Sequence, residues 1–161
     1  MPGHAMRRKD RMMDEAGCLA LLEKGEYGFL ATVGPDGRPY GVPLSYVWRD
    51  GRLFFHCASM GRKIKNIINC PDVSFSVVGD TKPVYVTDFS TYYKCVMIFG
   101  KVGEVADPDA KYEALYALAE KYLPDHMDKA DKDIRGSLKR TAVYAITPVE
   151  ITGKAKLPKG E

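Results

Sequence analysis

No apolar run in the 161-residue chain approaches the roughly 20 residues a membrane-spanning helix needs, and no signal peptide is visible. There is one tryptophan and there are three histidines, none paired at helical spacing. Cys18, Cys57, Cys70 and Cys95 form no CxxC or other metal-type spacing, which argues against a metal centre. Four cysteines in a chain of this size need no disulfide framework, so a reduced cytoplasmic interior is the simplest reading. The net charge of +3 is too small to imply nucleic-acid binding. What is left is an ordinary globular composition, 45% apolar and 28% charged, sized for one domain with a real core.

The chain divides into an arm or cloning remnant over residues 1–13, a single domain over 14–153 and a polar tail over 154–161. His4 falls in the arm, and His126 in the charged stretch PDHMDKADKD, a solvated loop or helix end; neither is assigned chemistry. A helix is predicted over 14–24, with Asp14 as N-cap, Cys18, Leu19, Leu21 and Leu22 as its apolar stripe, and Gly25 as the residue past its end. A strand over 27–33 closes on the turn Gly34-Pro35-Asp36-Gly37. The next strand, 38–48, alternates: Tyr40, Val42, Leu44, Tyr46 and Trp48 face the core, and Gly41, Pro43, Ser45 and Val47 face away. That second face is unusually small. Gly and Pro there fit either the close approach of a ligand or the corner of a barrel.

Asp50-Gly51 signals a tight hairpin, followed by strand 53–58 and a helix 61–69 with Ile64, Ile67 and Ile68 inward. Strands are predicted at 73–78, 84–87, 91–105 and 141–152, and helices at 108–122 and 132–138. Short strands with inserted helices, rather than strict βα alternation, indicate an antiparallel barrel with appended helices. A doubly wound sheet would show a glycine-rich loop after its first strand, which is absent.

Residues 50–71, DGRLFFHCASMGRKIKNIINCP, carry the chemistry. A strand ending in Phe55-His56-Cys57 enters a Ser-Met-Gly loop and then a helix opening with Arg62-Lys63. Unsatisfied backbone N–H groups and the positive end of the helix dipole favour an anion at such a start. Two cations there oppose the dipole unless an anion joins them. His56 lies at the mouth of the same strand.

The run FLATVGPDGRPYGVPLSYVWRDGRLFFHCASMGRKIKNIINCPDVSFSV, with the later YYKCVMIFGKVGEV, resembles the pyridoxamine-phosphate-oxidase-like split-barrel flavoproteins, and within them the nitroimidazole-resistance branch. The resemblance spans most of residues 7–153. It implies an FMN-binding split barrel with FMN at a homodimer interface. By position, Arg62 and Lys63, helped by Ser59, take the phosphate. Thr32, Val33, Pro43, Leu44 and Ser45 lie along the flavin, and Phe55, His56 and Cys57 border it. The partner subunit contributes from the region of Ser90, Tyr92 and Tyr93.

The implied activity is reduction of a small electrophile such as a nitroaromatic. His56 is the proton-donor candidate, because its ordinary pKa lies nearest neutrality, and NAD(P)H or a reductase is the electron source. The further basic residues of the true pyridoxamine-phosphate oxidases are not matched, so vitamin B6 chemistry is not expected. Two other readings stand beside this one: a non-enzymatic binder of flavin or haem, and a cofactor-free interaction domain.

Overall fold

A computed structural model describes residues 6–85 and 89–158. Seven antiparallel strands form one sheet: β1 (Gly28–Val33), β2 (Pro39–Leu44), β3 (Val47–Arg49), β4 (Arg52–Ala58), β5 (Asp72–Val84), β6 (Ser90–Glu104) and β7 (Thr141–Lys156). Their hydrogen-bonded order is β2-β1-β5-β6-β7-β4-β3. Strands β2 and β3 therefore lie at opposite edges, yet only Ser45 and Tyr46 separate them in sequence. Two residues cannot span a flat seven-stranded sheet, so the sheet curls until its edges meet. The result is an antiparallel split barrel. The segment predicted as one strand over 38–48 is thus two strands, and the break turns Val47 into a second core while Tyr46 enters the first.

The barrel interior is filled by Leu30, Tyr46, Leu53, Phe55, Phe75, Val77, Val96, Ile98 and Ile146, all fully buried or nearly so. Helix α1 (Glu15–Lys24) adds Cys18, Leu21 and Leu22. Its Asp14 caps the first turn by accepting from the Gly17 N–H at 2.8 Å. Gly25 ends the helix with φ −62°, so no left-handed conformation is involved. It is glycine for space: a Cβ there would lie 2.5 Å from Val77 and 2.6 Å from the Tyr46 hydroxyl.

Helices α3 (Pro108–Tyr122) and α4 (Met127–Ser137) cover the second core, which includes Val47, Phe54, Leu115, Leu118, Ile134 and Val143. The Tyr122 hydroxyl fastens α3 to the edge crossing. It accepts from the Tyr46 N–H at 2.9 Å and lies 2.8 Å from the Tyr46 carbonyl and 2.5 Å from that of Glu26.

Several boundaries shift. Helix α2 (Arg62–Asn69) buries Ile64, Asn66 and Ile67, whereas Ile68 is 78% exposed. The cause is Asn66: its Nδ2 donates to the Thr32 hydroxyl at 3.0 Å and rolls the inward face away from Ile68. Of the strand predicted over 84–87, Val84 ends β5 and 86–88 lie outside the described residues. Strand β7 runs on to Lys156, taking in part of the expected tail. Residues before Asp14 are also tied down, with the Met13 N–H donating to the Gly153 carbonyl at 3.0 Å.

One buried group has a pH signature. The Lys121 ammonium is shielded from solvent without a hydrogen-bond partner and sits 3.9 Å from the centre of the Tyr46 ring. Burial lowers its pKa to about 8. Between about 8 and the ordinary lysine value the unfolded chain binds the extra proton, so this group makes stability rise with pH across that window. Below pH 8 both states are charged and the penalty is fully present. Lys121→Met is therefore expected to match or exceed wild-type stability at pH 7, by on the order of 1 kcal/mol after screening and the lost cation–π contact. The gap should close as urea-unfolding experiments move from pH 8 to 10. A variant less stable by more than 1 kcal/mol at pH 7 would contradict this.

Candidate functional site

Helix α2 begins in an unusual way. Its N-cap is Gly61, with φ 138° and no side-chain capping bond, a backbone state that L side chains rarely adopt. The first N–H groups of the helix therefore have no side-chain cap. Two cations open the helix. The Arg62 guanidinium stacks on the Tyr40 ring at 4.7 Å, towards β2, and the Lys63 ammonium lies 5.3 Å over the Phe55 ring, towards β4. Among the described residues no carboxylate forms an ion pair with Arg62, Lys63 or Lys65. An uncapped helix start flanked by cations without counter-charges suits a phosphate ester, so the residues present fit the tail of a flavin nucleotide.

The expected site residues divide into three groups. Around α2 the structure gathers Ser59, Arg62 and Lys63 with Thr32, Phe55, His56 and Cys57. Two of these are committed to the fold. Thr32 is buried under α2, donating to the Tyr40 carbonyl at 3.2 Å and accepting from Asn66. Phe55 is fully buried and stacks on Tyr144 at 5.7 Å.

Strand alternation also separates His56 from its neighbours. Phe55 and Cys57 belong to the barrel interior, while His56 is exposed on the opposite face of β4, which it shares with Phe54. The three side chains cannot border one ring together. Partial burial, then the nearby Lys63 charge, lowers the His56 pKa below the usual imidazole value. Burial pushes the Cys57 thiol up, and Lys63 pulls it partly back.

A second group lines the outside of the sheet. Pro43 is exposed and pairs with Phe29, with Gly41 opposite Ala31 and Pro39 opposite Val33. The small face of β2 thus continues onto β1. Leu44 packs against the interior instead, and Ser45 stands at the edge crossing.

The third group is remote within the chain. Ser90 pairs with Val84 and accepts from the Lys156 ammonium at 2.6 Å. Tyr92 lies under the same ammonium at 5.9 Å, and Tyr93 pairs with Lys156. Along the β5–β6 ladder Ser90 is 11 residues from Lys101, the partner of Asp72, or roughly 35 Å from the end where α2 enters β5.

Sequence reasoning missed Tyr40, Arg38, Lys65 and Asn66. With Pro35, Asp36, Met60, Gly61 and Arg62, the last three line a groove of about 690 Å³ between the 34–37 turn and α2. The signal was available: Lys65 and Asn66 stand three and four residues after Arg62, on one side of the helix.

The pyridoxamine 5'-phosphate oxidase profile matches residues 14–155. No curated protein matches the chain in sequence. Among solved structures, a conserved hypothetical protein from Mycobacterium tuberculosis is 22% identical, with TM-score 0.81, covering 97% of this chain and 96% of that one. A protein from Bacteroides thetaiotaomicron inferred to give 5-nitroimidazole antibiotic resistance is 22% identical, with TM-score 0.79 over 89% and 86%. A flavocytochrome from Azotobacter vinelandii is 20% identical, with TM-score 0.80 over 96% and 73%. At these identities the likeness shows the fold. The profile match, which covers nearly the whole domain and agrees with the split barrel, places this chain in the pyridoxamine 5'-phosphate oxidase family.

Proposed function

We propose that this protein is a flavin-dependent oxidoreductase acting on a small electrophile, with nitroaromatics as the first class to test. The observation that carries the reading is the uncapped α2 start, with Arg62 and Lys63 beside it and, among the described residues, no carboxylate paired to either. A flavin bound through its phosphate fits there, FMN being the smallest flavin that has one. The likeness in fold to a nitroimidazole-resistance protein and to a flavocytochrome supports the same class.

The flavin, when bound, supplies the electrons; the chain's residues anchor, exclude water and move protons. Reducing a nitro group to nitroso takes two electrons and two protons and releases water. His56 is the proton carrier in this reading. The Lys63 charge and partial burial make its imidazolium a stronger acid than usual, ready to hand over a ring N–H proton.

A homodimer completes the reading. The outer sheet face presents Phe29, Val33, Val78, Met97 and Phe99, all exposed, in one registered patch over β1, β5 and β6. Ser74, Ser76 and Ala31 lie between them. A patch of this kind is what one copy buries against another, and a partner seated there would bring a second set of side chains to the small face of β2.

His56→Ala is expected to keep its flavin and to turn over a nitroaromatic about 10²-fold more slowly, with a flattened pH profile. Stopped-flow reoxidation of the reduced protein by substrate measures this. Wild-type rates and an unchanged pH profile would remove His56 from the mechanism.

A further inference from the structure

Three of the chain's seven methionines fall between residues 6 and 13, and the fold gathers them with Cys18 around one cavity of about 480 Å³. This cavity shares no lining residue with the groove beside α2. Residues 12 and 13 run beside the end of β7: Met12 bridges Lys154, and the Met13 N–H donates to the Gly153 carbonyl at 3.0 Å. Helix α1 carries the buried Cys18 to the same strand.

Gly153 lets the sulfurs meet. A Cβ there would collide with the Cys18 Sγ and lie 3.3 Å from the Met13 Sδ, so thiol and thioether face one small space over bare backbone. Met6 and Met12 line the same cavity, and its only charged lining residues, Glu15 and Glu150, are both carboxylates. A negative wall favours a cation, and the donor atoms select its kind. Among the described residues no three His, Cys, Asp or Glu side chains gather as metal ligands, so zinc finds no ligand set. Thioethers beside a thiolate select Cu(I). The cysteine spacing pointed away from a metal because three of the four sulfur residues here are methionines, brought to Cys18 by the fold.

From this convergence of sulfur we infer that the cavity binds one Cu(I) ion, held by the Cys18 thiolate and the Met13 thioether. Met6, half-buried where Met12 is 64% exposed, completes the set. Binding sends the thiol proton to solvent and leaves the metal's oxidation state unchanged, so no electron donor is needed. The site is independent of the flavin reading.

The test is anaerobic titration of the purified protein with Cu(I) in competition with the coloured chelator bicinchoninate. One equivalent withdrawn from the chelator is expected, with a thiolate-to-copper band in the ultraviolet. Cys57, Cys70 and Cys95 also carry free thiols, so the titration is repeated with all three replaced by serine, and the equivalent should be retained. Cys18→Ser should lose it. Met13→Leu keeps the volume and apolar character of a side chain packed against the core and should weaken capture at least about tenfold. Circular dichroism verifies the fold, and Met13→Leu alone decides if Cys18→Ser does not fold. No capture by the wild type, unchanged capture in either folded variant, loss of capture in the triple-serine protein, or Zn(II) bound as tightly would overturn the inference.

Discussion

Replacing Arg62 and Lys63 together by alanine should strip the protein of flavin while leaving the barrel folded. Each cation contributes a charge-assisted hydrogen bond to a bound phosphate, about 1.5–3 kcal/mol apiece. Losing both weakens binding by about 10²–10⁴-fold, enough to lose the cofactor during purification. The cost to folding is much smaller. Neither side chain belongs to the core; each stacks on one aromatic ring, Tyr40 or Phe55, worth about 0.5–1 kcal/mol. Against that, both oppose the helix dipole, so their removal is partly offset. Titration of the variant with FMN and FAD, beside a thermal melt, separates the two effects. Unchanged flavin affinity would sink the phosphate assignment.

Phe75→Ala should produce the largest loss of stability. The ring is fully buried at the centre of the barrel, edge-on to Tyr46 at 5.1 Å. On β1 it meets Gly28, where a Cβ would lie only 2.3 Å from the ring. At Gly28, β1 therefore offers no side chain to fill the space that truncation leaves. A cost of about 3–5 kcal/mol is expected, or a Tm lower by roughly 6–20 °C for a chain of this length. Phe29→Ala is the control. It lies one residue from Leu30 but on the outer face, 51% exposed, and should barely change the folding of a monomer. In the proposed dimer its effect appears instead as weaker association. A loss below 1 kcal/mol at Phe75 would mean that the interior is not packed as described.

Much of this was legible in the chain because local signals and tertiary packing agreed. Asp14, Pro108 and the Asp50-Gly51 pair each set an element end by local chemistry alone, and Asp50 and Gly51 indeed adopt positive φ. The cationic helix start at Arg62-Lys63 was readable for the same reason: a strand, a small loop and the opening of α2 are contiguous in sequence. What failed depended on distant partners. The alternation across 38–48 is unbroken in sequence, and only the meeting of the sheet's two edges splits it at Ser45-Tyr46. The roll of α2 that exposes Ile68 follows from Asn66 finding Thr32, 34 residues away. His56 was read with Phe55 and Cys57 because the three are adjacent; the pleat sends it to the other face. The groove beside α2 escaped notice because Arg38 and Lys65 are brought together only by the packing of the β1–β2 turn against the helix.

The most direct test of the account is the absorption spectrum of freshly purified protein, followed by identification of whatever heat denaturation releases. A yellow protein with flavin bands and a released flavin that carries phosphate is the expected result. A Soret band, or a colourless protein that leaves the fluorescence of added FMN and FAD unchanged, would contradict it.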